Sequence, residues 1–302
     1  MRIGIDFGGT NLKIGVFSLD GKTVTFEELK VDELAAGGDF AGRLLEQTLR
    51  FAERYPLKGG GLAAKGLVDT HTGIILEDIG AGELLAGLPM RDIFTNRLGI
   101  PFIVENDARS YAWGEARFGA GRGFKVVVCL TLGTGLGSAL VKDGMPYEGS
   151  DPLGGLLGGH ISVDRNGPQC VCGNRGCLEL YCSATALRRI ISERHPELLT
   201  DGDPLPDFFE SADRIPARRA TFNEFLDNLA IGVVNVIHAY GPEAVVLGGG
   251  VLNSAAIILP GLIERVGRMA WTFPRGKIKI LPSELGNRAA ALGVAFHPRL
   301  GI

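Results

Sequence analysis

The chain has 302 residues, of which 45% are hydrophobic and 22% charged, and its formal net charge is −3. This length allows one large hydrophobic core or two, and the lack of a basic block argues against a nucleic-acid-binding protein. The first residues lack the apolar core and cleavage site of a signal peptide, and no run of about 20 apolar residues predicts a membrane span. We therefore expect a cytoplasmic protein with neither nucleic acid nor membrane as a partner.

Predicted strands and helices alternate along the chain, which favours an α/β fold. The first half of the chain is predicted to form a β-hairpin over Ile3–Gly21, a helix over Phe40–Tyr55, a strand in 60–69 and a strand that enters a helix near Asp107. A second hairpin over Val128–Gly144 and a helix capped by Ser183 follow. The last predicted elements are a helix from Phe222 to about Tyr240, behind a capping box of Thr221 and Glu224, and a strand in 242–251. The polar, proline-rich segment 196–220 is expected to be a surface excursion.

The two predicted hairpins resemble each other. Each has a β-rich apolar run, a Gly/Thr turn, a second apolar run and a closing Asp-Gly. Their recurrence predicts two similar domains that arose by duplication, and a chance similarity of two glycine-rich hairpins is the alternative.

Glycine-rich turns follow three apolar runs, at Asp6–Thr10, Thr131–Gly137 and Leu247–Val251. Glycine lets backbone N–H groups approach an anion closely, and the third turn opens onto a helix whose N-terminus favours anions. Asp6 could hold Mg²⁺ through water, and Thr10 could bond a phosphate oxygen. One such turn is usually only a turn, but three of them favour a nucleotide held between two domains.

Asn106 and Asp107 stand where a predicted strand meets a predicted helix. Asp107 is either an N-terminal helix residue, where aspartate is favoured, or a general base that accepts a proton from an attacking hydroxyl. In the second interpretation Asn106 hydrogen-bonds a polyhydroxylated substrate.

Three of the five cysteines fall within Cys170–Cys177. The predicted metal ligands are His160, Cys170, Cys172 and Cys177. One imidazole and three thiolates form a closed, structural zinc site. Buried free thiols are the alternative, but the glycines between the cysteines suit a tight loop around an ion. Cys129 and Cys182 are expected to be ordinary buried thiols.

Taken in order, these motifs resemble the ROK family of repressors, open reading frames and kinases. The resemblance covers nearly the whole chain and rests on DFGGTNLK, GLVDTHTG, ENDAR, TLGTGLG, GGHISV, CVCGNRGCLE, VVLGGGV and AALGVA. It implies an α/β protein of two duplicated actin-like (ribonuclease-H-like) domains with a cleft between them. The implied domains are 1–118 with 284–302, and 119–283 with the zinc-binding loop. The implied activity is transfer of a phosphoryl group from ATP, with Mg²⁺, to a hexose hydroxyl, usually the 6-hydroxyl.

The resemblance also implies roles for individual residues and a homodimer. Asp107 would be the catalytic base. The sugar would be bound by Gly66, Asn106, Asp107, His160 and Glu179. ATP would be bound by Asp6, Gly8, Gly9, Thr10, Lys13, Gly133, Thr134, Gly135, Gly249 and Gly250, with Asp6 near the Mg²⁺. A structural Zn²⁺ would hold His160 and Glu179 at the sugar.

The sequence departs from the family pattern at the sugar site. Leu157 replaces the glutamate found three residues before His160, and a site without that polar partner loses discrimination for the matching hydroxyl. Lys65 replaces the usual proline, either as a surface residue or as a group that reaches an anion in the cleft. The asparagine and tryptophan often found in the sugar loop are not evident in 77–90. Another hexose or an N-acetylhexosamine therefore competes with glucose as substrate.

Three questions stay open at this point. Polyphosphate could replace ATP as the phosphoryl donor. A sugar-binding regulatory or catalytically decayed protein is the alternative function, against which the retained Asp6, Thr10 and Asp107 argue. A repressor of the family would carry a winged helix-turn-helix before the first hairpin, so we do not expect one here.

Overall fold

The computed structural model describes residues 1–77, 84–149, 158–199 and 202–301. Its strands are β1 (Arg2–Phe7), β2 (Asn11–Phe17), β3 (Thr23–Lys30), β4 (Gly60–Ala64), β5 (Leu67–Asp69), β6 (Ile74–Glu77), β7 (Phe102–Asn106), β8 (Val126–Leu132), β9 (Leu136–Lys142), β10 (Met145–Pro146), β11 (Ala244–Gly248) and β12 (Lys279–Pro282). Its α-helices are α1 (Val31–Ala35), α2 (Phe40–Arg54), α3 (Met90–Leu98), α4 (Asp107–Phe118), α5 (Glu179–Cys182), α6 (Ala184–Arg194), α7 (Leu205–Ser211), α8 (Pro216–Tyr240), α9 (Ala255–Met269) and α10 (Ala289–Ala295). Short 3₁₀ helices cover Gly158–His160, Pro196–Leu198, Gly250–Ser254, Gly286–Arg288 and Pro298–Leu300.

Two five-stranded sheets follow one strand order. The first runs β3-β2-β1-β4-β7 and the second β10-β9-β8-β11-β12. In the first sheet β1 pairs antiparallel with β2 and parallel with β4. In the second, β9 and β10 are antiparallel, while β11 is parallel to both β8 and β12. The shared order confirms the predicted α/β fold with a duplicated unit.

The chain packs as two compact units. The first unit comprises Met1–Gly123, Leu140–Leu156 and Glu284–Ile302, and the second comprises Phe124–Ala139 and Leu157–Ser283. The domain boundaries expected from the sequence stay a prediction.

Helix α10 packs closely against the first sheet and α4. Each of its residues is buried, and five of the seven are alanine or glycine. A Cβ added to Gly4 of β1 would lie 1.8 Å from the carbonyl oxygen of Ala291, and one added to Gly293 would lie 1.8 Å from that of Ser110. Small residues therefore let the backbones of this helix and its neighbours touch.

Replacing Gly293 with alanine is expected to destabilise the protein by roughly 1–3 kcal/mol, because overpacking pushes two backbones apart. The free energy of unfolding in urea measures the effect. Gly267→Ala in α9 is the matched control, since a Cβ there meets no heavy atom within 4 Å. Alanine is a better helix former than glycine, so the control should stabilise by roughly 0.5–1 kcal/mol. Equal effects of the two variants would contradict the close contact.

Several local predictions match the structure. Helix α2 covers nearly all of the predicted segment, and Ser183 caps α6 by accepting a hydrogen bond from the Ala186 N–H at 3.1 Å. Both cysteines outside the predicted zinc loop, Cys129 and Cys182, are buried thiols, as predicted. These features depend on short segments, which is why the sequence pattern suffices.

The predicted start of the long helix was wrong. Helix α8 begins at Pro216 rather than at Phe222. Proline is favoured in the first helical turn because its missing N–H would have no helical partner there. Thr221 therefore lies inside the helix, where its hydroxyl is 2.9 Å from Nε2 of His195.

The segment 196–220 is not a mere surface excursion, which corrects the second local prediction. It contains α7 and the first turn of α8, and Phe208 and Phe209 are buried. The Phe209 ring packs edge-on against Phe222 and Phe225, with centroids 5.9 and 5.8 Å away. The prediction rested on the polar average composition of the segment, which gave too little weight to these two adjacent aromatic residues.

One helical stretch, Gly250–Met269, is long and apolar enough to cross a membrane by length and composition alone. A core helix of a globular protein passes the same test. In the second unit Ile258, Leu262 and Val266 are buried, and α9 packs against α8. Arg265 also forms an ion pair with Asp227 of α8, at 2.6 Å.

Candidate active site and metal centre

Three parallel strands of the first unit end at the same edge of their sheet. Phe7 pairs with Ala64, and Ala64 pairs with Asn106. The segments that follow these strands therefore start side by side. They bring the glycine turn after β1, the Lys65-Gly66 pair after β4 and Asp107 after β7 to one edge, which is where ligands bind in open α/β sheets.

Asn106 and Asp107 form the centre of this edge. The Asn106 side chain caps α4 by accepting from the Arg109 N–H at 3.1 Å, and its Nδ2 donates to the Gly66 carbonyl and to Oδ1 of Asp107, both at 3.1 Å. Oδ1 of Asp107 also accepts from the Ala108 N–H at 2.8 Å. Asp107 is thus the first residue of the helix, and its carboxylate is held in one orientation.

The surroundings of Asp107 suit a general base. Burial and the like charge of Asp6 raise the pKa of the half-buried Asp107 to about 7, although the nearby charge of Lys65 lowers it. A base is most effective when its pKa lies near the working pH. Perturbed carboxylates of this kind cluster at functional sites.

Asp6 faces Lys13 across the β1–β2 pair. Their side chains form an ion pair of 3.0 Å between Nζ and Oδ2. Burial raises the pKa of Asp6, and Lys13 opposes that shift. The turn that follows is half-buried at Gly8 and exposed at Gly9 and Thr10. Its backbone is therefore accessible to an anion.

In the second unit, Glu179 joins the second glycine turn. Its carboxylate accepts from the Leu136 N–H at 2.7 Å, and a Cβ added to Gly135 would lie 2.6 Å from Oε2 of Glu179. The Gly133 carbonyl accepts from the Ala184 N–H at 2.8 Å. Thr134, at the tip of this turn, is exposed. The turn and Glu179 are thus fixed to each other.

Gly249 of the third glycine turn packs against Leu132, the last residue of β8. It has a φ of 86°, and an added Cβ would lie 2.5 Å from backbone atoms of Leu132. Only glycine combines this conformation with this close approach. Gly250 begins the 3₁₀ helix that leads into α9.

The four predicted metal ligands come together in the second unit. His160, Cys170, Cys172 and Cys177 each offer one donor atom, and these atoms lie within 4.8 Å of one another. Nδ1 of His160 is 3.6 Å from Sγ of Cys170, and Sγ of Cys172 is 3.6 Å from Sγ of Cys177. Tetrahedral zinc with Zn–S bonds of about 2.3 Å separates sulfur ligands by about 3.8 Å. The donor set and its spacing therefore fit zinc.

The thiol chemistry of the loop agrees with this fit. Burial, together with hydrogen bonding to Cys170 and Cys172, raises the pKa of Cys177 to about 12. A thiolate at this position therefore needs a cation beside it. The loop is tightly folded, with the Cys170 N–H donating to the Asn174 carbonyl at 2.8 Å.

Residues 2–297 match the sequence model of the ROK family. The chain belongs to the ROK family.

Relatives of this ROK protein include kinases and regulators. It is 34% identical to a glucokinase from Thermotoga maritima, over 97% of this chain and 95% of the relative. A ROK family glucokinase from Streptomyces griseus, solved in complex with glucose and AMPPNP, matches it with a TM-score of 0.82 and 30% identity over 97% of each chain. A xylose repressor from Bacillus subtilis is 29% identical over 80% of this chain and 61% of the repressor. The predicted family is confirmed.

The ROK protein also holds a buried charged cluster that the sequence reasoning missed. Oε1 of Glu105 lies 2.7 Å from Nε of Arg109 and accepts from the Asn106 N–H at 2.6 Å, and Oε2 lies 3.3 Å from Nε2 of His297. Burial alone would raise the pKa of Glu105, but His297 and Arg109 outweigh it and lower that pKa. The sequence did offer a signal for this cluster, because Glu105 is a charged residue in an apolar strand and stands four residues before Arg109. The cluster fixes the backbone directly before Asp107.

Leu157, the expected departure from the family pattern, lies outside the described residues, as do 78–83 of the expected sugar loop.

Proposed function

We propose that this sugar kinase transfers the γ-phosphoryl group of ATP to the 6-hydroxyl of a hexose, glucose or a close relative such as an N-acetylhexosamine. The observation that carries the proposal is Asp107, a fixed carboxylate with a pKa of about 7 beside an accessible glycine turn. The Streptomyces griseus relative, solved with glucose and AMPPNP, supports the choice of ligands.

In the proposed reaction the sugar hydroxyl attacks the γ-phosphorus. Its proton passes to the Asp107 carboxylate as the new O–P bond forms, while the bond between the γ-phosphorus and the bridging oxygen breaks and ADP leaves. Asn106 positions Asp107 through its 3.1 Å hydrogen bond. Its Oδ1 accepts from the Arg109 N–H and would use its second lone pair to accept from a sugar hydroxyl. Gly9 and Thr10 would bind phosphate oxygens through backbone N–H groups and the threonine hydroxyl, while the Gly8 N–H holds the turn by donating to the Asn11 carbonyl at 3.1 Å.

The charges around Asp6 suit the metal that such a reaction uses. Carboxylate oxygens are preferred ligands of Mg²⁺, often through water, so Asp6 fits this role and Lys13 holds it in place. When bound, Mg²⁺ would neutralise part of the negative charge on the phosphate oxygens.

For the second unit we propose that Gly133, Thr134, Gly135, Gly249 and Gly250 contact the nucleotide. We also propose that Glu179 and Nε2 of His160 contact the sugar. Nδ1 of His160 faces the thiols, which leaves Nε2 to donate to a hydroxyl. The zinc held by His160, Cys170, Cys172 and Cys177 is proposed to be structural, because four protein ligands leave no open position.

We further propose a cytoplasmic homodimer. The family resemblance implies the dimer, and Trp271 and Phe273 are 86% and 92% exposed, close together in sequence. Exposed aromatic side chains are enriched at protein–protein interfaces.

The alternative is a sugar-responsive regulator without kinase activity. It is favoured by the xylose repressor among the relatives and by Leu157, which cannot accept a hydrogen bond from a sugar.

A hexose panel with ATP and Mg²⁺ separates the two functions. We expect ATP-dependent turnover of glucose, mannose or an N-acetylhexosamine, with ³¹P NMR placing the product phosphate on the 6-oxygen. The same panel with polyphosphate tests the donor. Sugar binding without turnover on either donor would contradict the kinase proposal and favour the regulator.

A further inference from the structure

Lys65 lies at the edge of the first sheet between the two groups that the proposed reaction brings together. It directly follows β4, whose last residue, Ala64, pairs with Phe7 on one side and Asn106 on the other. The strand on one side leads into the glycine turn at Gly8, and the strand on the other leads into Asp107. The backbone thus places Lys65 between the proposed phosphate site and the proposed base.

The Lys65 side chain extends towards the phosphate turn. Its Nζ lies 5.8 Å from the centroid of the Phe7 ring and 3.9 Å from the position that a Cβ on Gly9 would take. The residue is half-buried, and the ring supports the ammonium by a cation–π contact. This orientation is that of a side chain held over the turn.

We propose that Lys65 is a catalytic residue, whose ammonium contacts the γ-phosphoryl group of ATP during its transfer to the sugar. The inference rests on the proposed function. It adds to the site a positive charge that the motifs do not assign.

The chemistry of the transfer calls for such a charge. The transferring phosphoryl group carries negative charge on its equatorial oxygens, and catalysis consists mainly of positioning and charge stabilisation. Lysine binds phosphate as a compact point charge. The Lys65 ammonium lies 3.9 Å from the position that a Cβ on Gly9 would take, beside the turn proposed to bind the phosphates. Its charge also lowers the pKa of Asp107, which agrees with this location.

The test compares binding of ADP and AMPPNP to Lys65→Met by calorimetry in saturating Mg²⁺. Only AMPPNP has a γ-phosphoryl group, so its affinity should fall by roughly tenfold or more, the value of one charge-assisted hydrogen bond, while ADP affinity stays within about twofold. Lys65→Arg should recover most of the AMPPNP affinity, because it keeps the charge. Lys58→Met, at an exposed lysine of the same unit, is the matched control and should change neither affinity.

Turnover then separates this inference from the proposed function. If the native enzyme phosphorylates a hexose, Lys65→Met should lower kcat more than it raises the KM for the sugar. If Lys65→Met keeps the native kcat and the native affinities for ADP and AMPPNP, the role of Lys65 is overturned, while the proposed kinase function is unaffected. If the native protein turns over no hexose, the proposed function fails. A selective loss of AMPPNP affinity in Lys65→Met would still support the Lys65 contact. An equal loss of affinity for ADP and AMPPNP would overturn it.

Discussion

Asp107→Asn is expected to lower kcat for hexose phosphorylation by roughly 10²–10⁴-fold, the contribution of a positioned general base. The amide cannot take the proton of the attacking hydroxyl. It can still accept from the Ala108 N–H, which donates to Oδ1 of Asp107 at 2.8 Å, so folding and sugar binding should be nearly unchanged. A coupled ADP assay measures kcat, and circular dichroism checks the fold.

The pKa of Asp107 gives this variant a second signature. Because the base must be ionised, kcat/KM of the native enzyme should fall as the pH drops through about 7. The pKa is raised from 3.8 to about 7, so between these values the folded protein keeps a proton that the unfolded chain releases. Stability therefore declines as the pH rises through this window. Asp107→Asn removes that decline, and its melting temperature should exceed that of the native protein most clearly above pH 7.

Asp92→Asn is the control for both measurements. Asp92 is an exposed carboxylate in the first turn of α3, in the same unit as Asp107. This variant should keep the native kcat and the native dependence of stability on pH. Near-normal turnover in Asp107→Asn would refute the assignment of the base.

Cys172→Ala has the second largest expected effect, loss of bound zinc. Native protein should contain about one zinc ion per chain, and removing one thiolate from a four-ligand site should abolish stoichiometric binding. The loop should then loosen. His160 and Glu179 flank its cysteines, so sugar affinity and melting temperature should both fall. Elemental analysis of the purified protein measures the zinc.

Val171→Ala is the matched control in the same loop. Val171 is 89% exposed, and its truncation should leave zinc content and sugar affinity unchanged. Native protein purified without chelators that holds no zinc would contradict the assignment. A chelator should lower the melting temperature of native protein and of Val171→Ala, but not that of Cys172→Ala.

Much of the site was predictable because its signals are local. Asn106 and Asp107 stand at a strand–helix junction that the pattern locates, and both are where the sequence places them. The predicted ligands His160, Cys170, Cys172 and Cys177 lie in one short segment, and the fold brings their donor atoms within 4.8 Å of one another. Glycine turns are equally local, since a few residues decide whether the backbone can approach another group.

Other features arise only when distant segments meet. Glu105 and His297 are far apart in the chain, and their 3.3 Å contact exists because the last residues pack beside β7. The sequence left Lys65 as either a surface residue or a cleft residue. The parallel pairing of β4 between β1 and β7 determines where Lys65 lies in the sheet, and the contact with the Phe7 ring orients its side chain. Motifs and spacing thus determined the family, the duplicated fold and the candidate chemistry. The tertiary structure decided which charged side chains lie together in a buried site, because strand register and burial depend on the whole chain.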